Sequence, residues 1–157
     1  MRVLYHNRSR AAADVETRLR AEFADLDRLL AESDFVTLHV PLKPETRHLI
    51  SAEKLAKMKR SAFLVNAARG PVVDENALVE ALERKLIAGA ALDVYEYEPK
   101  VHPGLLSLKN VVLAPHLGSA SLETRTKMAV MAANNAVALF EGKRPPNPLN
   151  PEVLGGV

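Results

Sequence analysis

The chain has no cysteine among its 157 residues and no glycine before Gly70. Without cysteine it has no disulfide and no thiolate metal site, which favours a cytoplasmic protein. Without an early glycine, the residues before Gly70 hold no G-x-G-x-x-G loop for a dinucleotide phosphate, and no G-x-x-x-x-G-K-[ST] loop occurs anywhere. The histidines lack the H-E-x-x-H spacing typical of zinc sites, so no metal is expected.

The chain also lacks an excess of charge of one sign and a long apolar run. A formal net charge of +2 gives no basic patch of the kind that binds nucleic acid. The longest apolar helix candidate, 128–140, is interrupted by Asn134 and Asn135 and is too short to cross a bilayer. The first residues do not have the pattern of a signal peptide. We therefore expect a globular protein with neither nucleic acid nor a membrane as its partner.

Apolar strand-like runs alternate with amphipathic helical segments along the chain. This alternation is typical of βαβ units, so we predict an α/β fold with a mostly parallel sheet. Ser51, Asp74 and Ser121 are predicted helix caps, and Gly142 is predicted to end the last helix. The predicted strands cover 2–6, 34–40, 62–65, 88–94 and 111–114, and the predicted helices cover 12–20, 25–32, 51–59, 75–85 and 121–142.

Three charged or titratable side chains follow successive predicted strands. Arg69 comes after 62–65, Glu98 after 88–94 and His116 after 111–114. Ligands of open parallel sheets bind at the carboxyl ends of the strands, so we expect the three groups on one edge. Together they are the groups needed to hold a carboxylate and move a proton. Taken singly, Arg69 can also be a surface arginine, Glu98 a loop charge and His116 a packed core histidine.

The segments around these residues resemble signatures of a known enzyme family. They are Asn66-Ala-Ala-Arg-Gly, Leu92-Asp-Val-Tyr-Glu-Tyr-Glu-Pro and Pro115-His-Leu-Gly-Ser-Ala-Ser, and others match in family order from Val3-Leu-Tyr-His-Asn-Arg-Ser onward. The chain resembles the D-isomer-specific 2-hydroxyacid dehydrogenases, above all the glyoxylate/hydroxypyruvate reductases. The resemblance implies a Rossmann-like, doubly wound, mostly parallel sheet. It also implies an oxidoreductase that transfers a hydride between NAD(P)H and a small 2-oxo acid to give the 2-hydroxy acid.

By this resemblance the chain is the later part of the family's nucleotide-binding domain. The family's first strand, glycine loop and helix have no counterpart here, so the sheet is expected to be incomplete at its N-terminal side. Residues 1–143 are predicted to form this partial domain, and 144–157 a tail that in the family returns to the substrate domain. The alternative function is a catalytically incomplete fragment that binds nucleotide or assembles with a protein. A homodimer or a complementing missing segment is expected to cover the open strand edges.

The resemblance assigns a role to each of the three side chains. Arg69 binds the substrate carboxylate and polarises the carbonyl, because a guanidinium is planar and always charged. His116 is the proton donor, and Glu98 supports it, since a neighbouring carboxylate favours an imidazolium. The nearby Glu96 occupies a variable position of the family pattern and is expected to be solvated.

The end of the first predicted strand indicates which dinucleotide binds. Asn7, Arg8, Ser9 and Arg10 follow it, and no carboxylate comes before Asp14. In Rossmann domains an acidic residue there binds the ribose 2′-OH, whereas an arginine accommodates a 2′-phosphate. We therefore predict NADP(H) over NAD(H); the alternative is that the arginines begin a solvated helix. The other residues expected to line the cofactor are Val40, Pro41, Ala67, Ala68, Arg69, Asp93, His116 and Gly118. Asp93 is placed near the nicotinamide carboxamide or, alternatively, stabilises its own loop.

Overall fold

The computed structural model describes residues 1–155, which form two compact units. The first unit runs from Met1 to Pro115, and the second begins at His116. Strands and helices alternate through the first unit as predicted. In chain order they are β1 (Val3–Tyr5), α1 (Ala13–Leu19), β2 (Ala21–Phe23), α2 (Leu26–Glu32), β3 (Phe35–Leu38), α3 (Ala52–Lys57), β4 (Phe63–Asn66), α4 (Glu75–Glu83), β5 (Gly89–Leu92), α5 (Pro103–Ser107) and β6 (Val111–Leu113).

The strands form two parallel sheets. One pairs β1 with β2, and the other has the order β3-β4-β5-β6. The register of the larger sheet aligns Val36 with Leu64 and Leu64 with Ala90. Among residues 1–155 no ladder joins β1 to β3, so each of these strands has one edge without a strand partner. The predicted α/β, Rossmann-like class with parallel strands is confirmed.

One face of the larger sheet is covered by helices and holds the core. Leu30 of α2, Leu55 of α3 and Leu78 of α4 are fully buried there. Burying a leucine side chain contributes about 1.5–3 kcal/mol, so these helices are held mainly by their apolar faces. The predicted caps at Ser51 and Asp74 are confirmed, since both side chains accept a backbone N–H of the first helical turn.

The opposite face of the larger sheet is apolar and exposed. Phe35 is 70% exposed and Phe63 is 42% exposed, and their rings stack with centroids 5.6 Å apart. Val112 of β6 lies on the same face, by its register with Ala91, and is 68% exposed. Exposed aromatic side chains of this kind are uncommon on the surface of a monomer.

The second unit contains one long helix, α6 (Leu122–Phe140), and the tail that follows it. Ser121 caps the helix by accepting the Thr124 N–H at 3.1 Å, as predicted. Gly142 ends it with a φ of +68°, a conformation that glycine adopts at little cost. The Asn147 N–H donates to Asn135 Oδ1 at 3.0 Å and returns the tail to the helix. The predicted domain boundary after residue 143 stays a prediction.

Two elements were absent from the predictions. β2 (Ala21–Phe23) has only three residues, too few for a strand-like apolar run. α5 (Pro103–Ser107) begins with Pro-Gly, a pair that is typical of turns. No helix within residues 1–155 has both the length and the apolar character needed to span a bilayer.

Candidate functional site

Asn66, the last residue of β4, shapes the turn that carries Arg69. Its side chain is only 1% exposed, and its Oδ1 accepts the Ala68 N–H at 3.1 Å. Its Nδ2 donates to the Arg69 carbonyl oxygen at 3.0 Å. A buried amide with both ends bonded to the following loop fixes the course of that loop. Asn66 was not among the predicted site residues, although a polar residue at the end of an apolar strand is a usable signal.

Arg69 itself is exposed at the end of this turn. Its backbone is extended, and its Nη1 donates to the Ala68 carbonyl oxygen at 2.6 Å. Within residues 1–155 no ion pair is formed by this guanidinium. Most of its five N–H donors are therefore available to an anionic ligand. Ala67 is exposed and Ala68 is buried beside it.

Gly70 holds the Arg69 turn directly against the loop that follows β5. A Cβ built on Gly70 would lie 1.8 Å from the Tyr95 carbonyl oxygen. Only a glycine permits this approach, because any side chain would overlap backbone atoms. The contact brings together two of the predicted segments, the one that carries Arg69 and the one that carries Glu98.

Hydrogen bonds hold the loop after β5, both within the loop and to neighbouring segments. The Asp93 N–H donates to the Asn66 carbonyl oxygen at 2.9 Å, and the Tyr95 N–H donates to Glu98 Oε1 at 3.0 Å. The Tyr95 hydroxyl donates to the Ala114 carbonyl oxygen at 2.8 Å. Burial raises the pKa of Tyr95, which keeps its hydroxyl a donor at neutral pH. Glu98 is exposed and Asp93 is half-buried at the same sheet edge.

The prediction that Glu96 is solvated is wrong. Its side chain is 3% exposed and lies between Arg47 and His48. The Arg47 Nη2 donates to Glu96 Oε1 at 3.0 Å, and His48 Nε2 lies 2.7 Å from the same oxygen. These partners are almost 50 residues away in sequence, so no local pattern identifies them.

Val40 and Pro41 follow β3 at the same edge. Val40 is half-buried, and the Pro41 carbonyl oxygen accepts the Thr46 hydroxyl at 2.7 Å. His116 and Gly118 are exposed residues of the second unit. His116 follows β6 after Ala114 and Pro115 and has a φ of +55°, a conformation uncommon for residues other than glycine.

The predicted cofactor loop, Asn7 to Arg10, is exposed directly after β1. The Arg10 guanidinium binds Glu16 through two hydrogen bonds, from Nε at 2.8 Å and from Nη2 at 2.9 Å. Glu16 also accepts the Tyr5 hydroxyl at 2.5 Å. Hydrogen bonds from Arg10 and Tyr5 lower the pKa of Glu16 to about 2. This carboxylate is therefore engaged and is a poor acceptor for a ribose hydroxyl.

Arg8 differs from Arg10, although both lie in this loop. Its backbone N–H donates to Asn7 Oδ1 at 2.8 Å, and its side chain forms no ion pair within the described chain. The loop therefore offers one uncommitted guanidinium, the Ser9 hydroxyl and the Asn7 amide. These groups are hydrogen-bond donors that an anionic ligand could accept from.

A cavity lies at the opposite edge of the larger sheet from Arg69. It has a volume of about 630 Å³ and is lined by Arg60, Lys85 and Lys109 near the amino ends of β4, β5 and β6. Within residues 1–155 no group of three or more histidine or acidic side chains is placed to hold a metal ion.

Comparison with known proteins decides the family. Residues 1–118 match the family model described as "D-isomer specific 2-hydroxyacid dehydrogenase, NAD binding domain". The chain belongs to the D-isomer-specific 2-hydroxyacid dehydrogenase family. A protein named glyoxylate reductase from Aeropyrum pernix is 54% identical to this family member over 156 residues, which cover 98% of this chain and 46% of the relative.

Solved structures of dehydrogenases and reductases have the same fold. A glyoxylate reductase from Paecilomyes thermophila matches with a TM-score of 0.80 and 42% identity, covering 90% of this chain and 42% of that one. An NADPH-dependent glyoxylate/hydroxypyruvate reductase from Sinorhizobium meliloti, solved with NADP and malonate, matches with a TM-score of 0.80 and 36% identity. The match covers 88% of this chain and 42% of the Sinorhizobium meliloti chain. The chain thus spans somewhat under half the length of these relatives.

Proposed function

We propose that the chain is the nucleotide-binding part of a reductase that converts a small 2-oxo acid of the glyoxylate or hydroxypyruvate type into its 2-hydroxy acid. The observation that carries the proposal is the Gly70–Tyr95 approach, which holds the Arg69 turn against the Glu98 loop. The family match supports the same reaction class. The names of the relatives support the choice of substrate.

In this proposal Arg69 and His116 act on the substrate, and Glu98 acts on His116. Arg69 binds the carboxylate with its planar guanidinium and polarises the carbonyl oxygen. His116 gives a proton to the developing alkoxide, and Glu98 favours its imidazolium form. The nicotinamide cofactor supplies the hydride. Hydride and proton together convert the C=O group into CH–OH, so the reaction balances.

The cofactor is proposed to be NADP(H) in preference to NAD(H). Asn7, Arg8 and Ser9 would hold its 2′-phosphate, and Arg10 would keep the loop in place through Glu16. Further along the edge, the residues proposed to line the cofactor are Val40, Pro41, Ala67, Ala68, Arg69, Asp93, His116 and Gly118. A cytoplasmic location stays a prediction that rests on the absence of cysteine.

Replacing Arg8 with alanine is expected to raise the KM for NADPH about 30-fold, because a hydrogen bond between charged groups contributes about 1.5–3 kcal/mol. The KM for NADH should change little, since NADH lacks the phosphate. Arg10→Ala is the matched control. It removes a guanidinium that is already bound to Glu16. We therefore expect a lower melting temperature and a nearly unchanged ratio of the KM values for NADPH and NADH. Equal losses with both dinucleotides in Arg8→Ala would contradict the assignment.

We also propose that the exposed strand edges and the Phe35–Phe63 face are covered in the functional protein. The occupant is a complementing segment absent from this chain, or a second copy in a homodimer. Open edges on β1 and β3 and an exposed aromatic pair support this proposal. The alternative function is a fragment that binds nucleotide or assembles with a protein without turnover.

One experiment separates these possibilities. NADPH-dependent reduction of glyoxylate and hydroxypyruvate is measured for the chain alone and for the chain joined to the upstream segments that the family resemblance implies, including the first strand, glycine loop and helix. The state of association of both proteins is measured by sedimentation. We expect turnover only in the joined protein, and association of the chain alone.

Each result has a defined consequence. A joined protein that is inert with both NADPH and NADH would refute the reductase. A chain that sediments as a stable monomer would refute the covered-face proposal. Turnover by the chain alone would refute the incomplete-fragment alternative.

A further inference from the structure

Glu96 is the centre of a buried polar cluster outside the three proposed reacting groups. It lies in the loop after β5, two residues before Glu98, and its carboxylate is almost completely buried. Two basic side chains from the segment before α3, Arg47 and His48, meet its Oε1. A buried carboxylate with two such partners is a specific contact between distant parts of the chain rather than a solvated charge.

Glu75, the first residue of α4, binds Glu96 reciprocally. The Glu96 N–H donates to Glu75 Oε1 at 2.6 Å, and the Glu75 N–H donates to Glu96 Oε2 at 3.4 Å. Each carboxyl group therefore accepts the backbone N–H of the other residue. Such a double contact fixes both the distance and the orientation of the loop relative to the start of the helix.

The carboxyl group of Glu75 is only partly hydrogen-bonded in this arrangement. Its Oε2 is buried and has no hydrogen-bond partner among the described residues. Burial raises the pKa of Glu75, and the charges of Glu96 and Glu98 act in the same direction, while the hydrogen bond from the Glu96 N–H and the charge of His102 lower it.

The basic partners of Glu96 belong to a segment that is already bound to the Arg69 turn. The His48 N–H donates to the Pro71 carbonyl oxygen at 2.8 Å, and the Ile50 N–H donates to the Val72 carbonyl oxygen at 3.1 Å. Pro71 and Val72 directly follow the Arg69–Gly70 step. Glu96 therefore connects the Glu98 loop to a pair of segments that includes the Arg69 turn.

We propose that Glu96, bracketed by Glu75, is a positioning residue that fixes the Glu98 loop against the Arg69 turn during 2-oxo acid reduction. This inference rests on the proposed function. The Gly70–Tyr95 contact sets how closely the two loops approach, and the Glu96 contacts prevent them from separating. Glu96 touches neither substrate nor cofactor in this account.

The proposal predicts that activity suffers more than stability when Glu96 is truncated. Arg47 and His48 are partly exposed, at 51% and 37% of their side chains, so water can solvate them once the carboxylate is gone. The cost in folding free energy is therefore moderate. The loop loses its restraint, and misplacement of a reacting group by about 1 Å lowers the rate by about 100-fold.

Turnover in the joined protein is the first test. Glu96→Ala is expected to lower kcat about 100-fold and to leave the Kd for NADPH within about twofold. Glu96→Gln keeps one oxygen that can accept from Arg47, and its backbone N–H still donates to Glu75 Oε1, so it should restore kcat to within about fivefold of the parent. The control is Glu80→Ala, which removes an exposed glutamate of α4 paired with Arg84 and should change neither constant.

Amide hydrogen exchange in the chain itself is the second test and needs no turnover. Glu96→Ala should speed exchange of the Tyr95 and Glu96 amides about tenfold or more, and leave that of Leu64 in β4 unchanged. Parental kcat or parental exchange in Glu96→Ala would overturn the proposal. So would a loss of kcat that Gln fails to rescue. A joined protein without turnover would refute the proposed function, and the exchange rates would then decide the role of Glu96 in holding the loop.

Discussion

Replacing Arg69 with alanine is expected to lower kcat/KM for 2-oxo acid reduction about 1000-fold while changing the Kd for NADPH less than about twofold. The guanidinium makes one hydrogen bond within its own turn, to the Ala68 carbonyl oxygen, and forms no ion pair in residues 1–155. Its loss therefore removes substrate binding and carbonyl polarisation without breaking a structural network. The measurement is steady-state kinetics with glyoxylate, together with NADPH binding by fluorescence titration.

Two further variants sharpen this prediction. Arg69→Lys keeps the positive charge but loses the planar fork, so it should recover only part of the rate. Arg84→Ala is the control, because Arg84 is exposed directly after α4 and its salt bridge is to Glu80, a glutamate of the same helix. A parallel loss of NADPH affinity in Arg69→Ala would mean that Arg69 is structural. An unchanged kcat/KM in Arg69→Ala would mean that Arg69 takes no part in the reaction.

Replacing Gly70 with alanine is expected to give the largest loss of stability. The new Cβ would meet the Tyr95 carbonyl oxygen at 1.8 Å, and neither partner can relieve the overlap by rotating a side chain. The Arg69 turn and the Glu98 loop must separate instead. Overpacking of this kind costs about 3 kcal/mol, which lowers the melting temperature by about 10 °C in a protein of this size.

Gly142→Ala is the matched control for this substitution. Gly142 has a positive φ, but a Cβ there would meet nothing within 4 Å. The cost should be about 1–2 kcal/mol, from backbone conformation alone. Calorimetry compares the two variants, and kinetics of the joined protein shows whether only Gly70→Ala loses turnover. Equal melting temperatures for Gly70→Ala and the parent would contradict the close approach of the two loops.

The parts of the fold that follow from local chemistry could be predicted from the sequence. Ser51, Asp74 and Ser121 cap helices because each has a short side-chain oxygen at the right offset. The strands of the larger sheet are apolar runs bounded by polar residues, and they were found. β2 was not found, because three residues carry too little periodicity to separate a strand from a loop.

The candidate site was predictable only where it depends on position along the chain. Arg69 and Glu98 were predicted because they follow strands, and their roles stay predictions. The approach of Gly70 to Tyr95 and the pairing of Glu96 with Arg47 join segments that are distant in sequence. No periodicity or spacing encodes such a contact. Glu96 was therefore expected in water and is instead buried between two segments.

The small sheet of β1 and β2 has a thermodynamic consequence for ligand binding. Two paired strands of three residues are only marginally stable by themselves, and the loop from Asn7 to Arg10 extends from this ribbon. If this loop binds the adenosine end of a dinucleotide, as proposed, local opening of the ribbon lowers the population of chains that can bind it. The apparent dissociation constant for the dinucleotide is inversely proportional to that population and therefore rises as the population falls. A partner that pairs with the unpaired edge of β1 and keeps the ribbon closed would then lower the apparent dissociation constant for the nucleotide without contacting it.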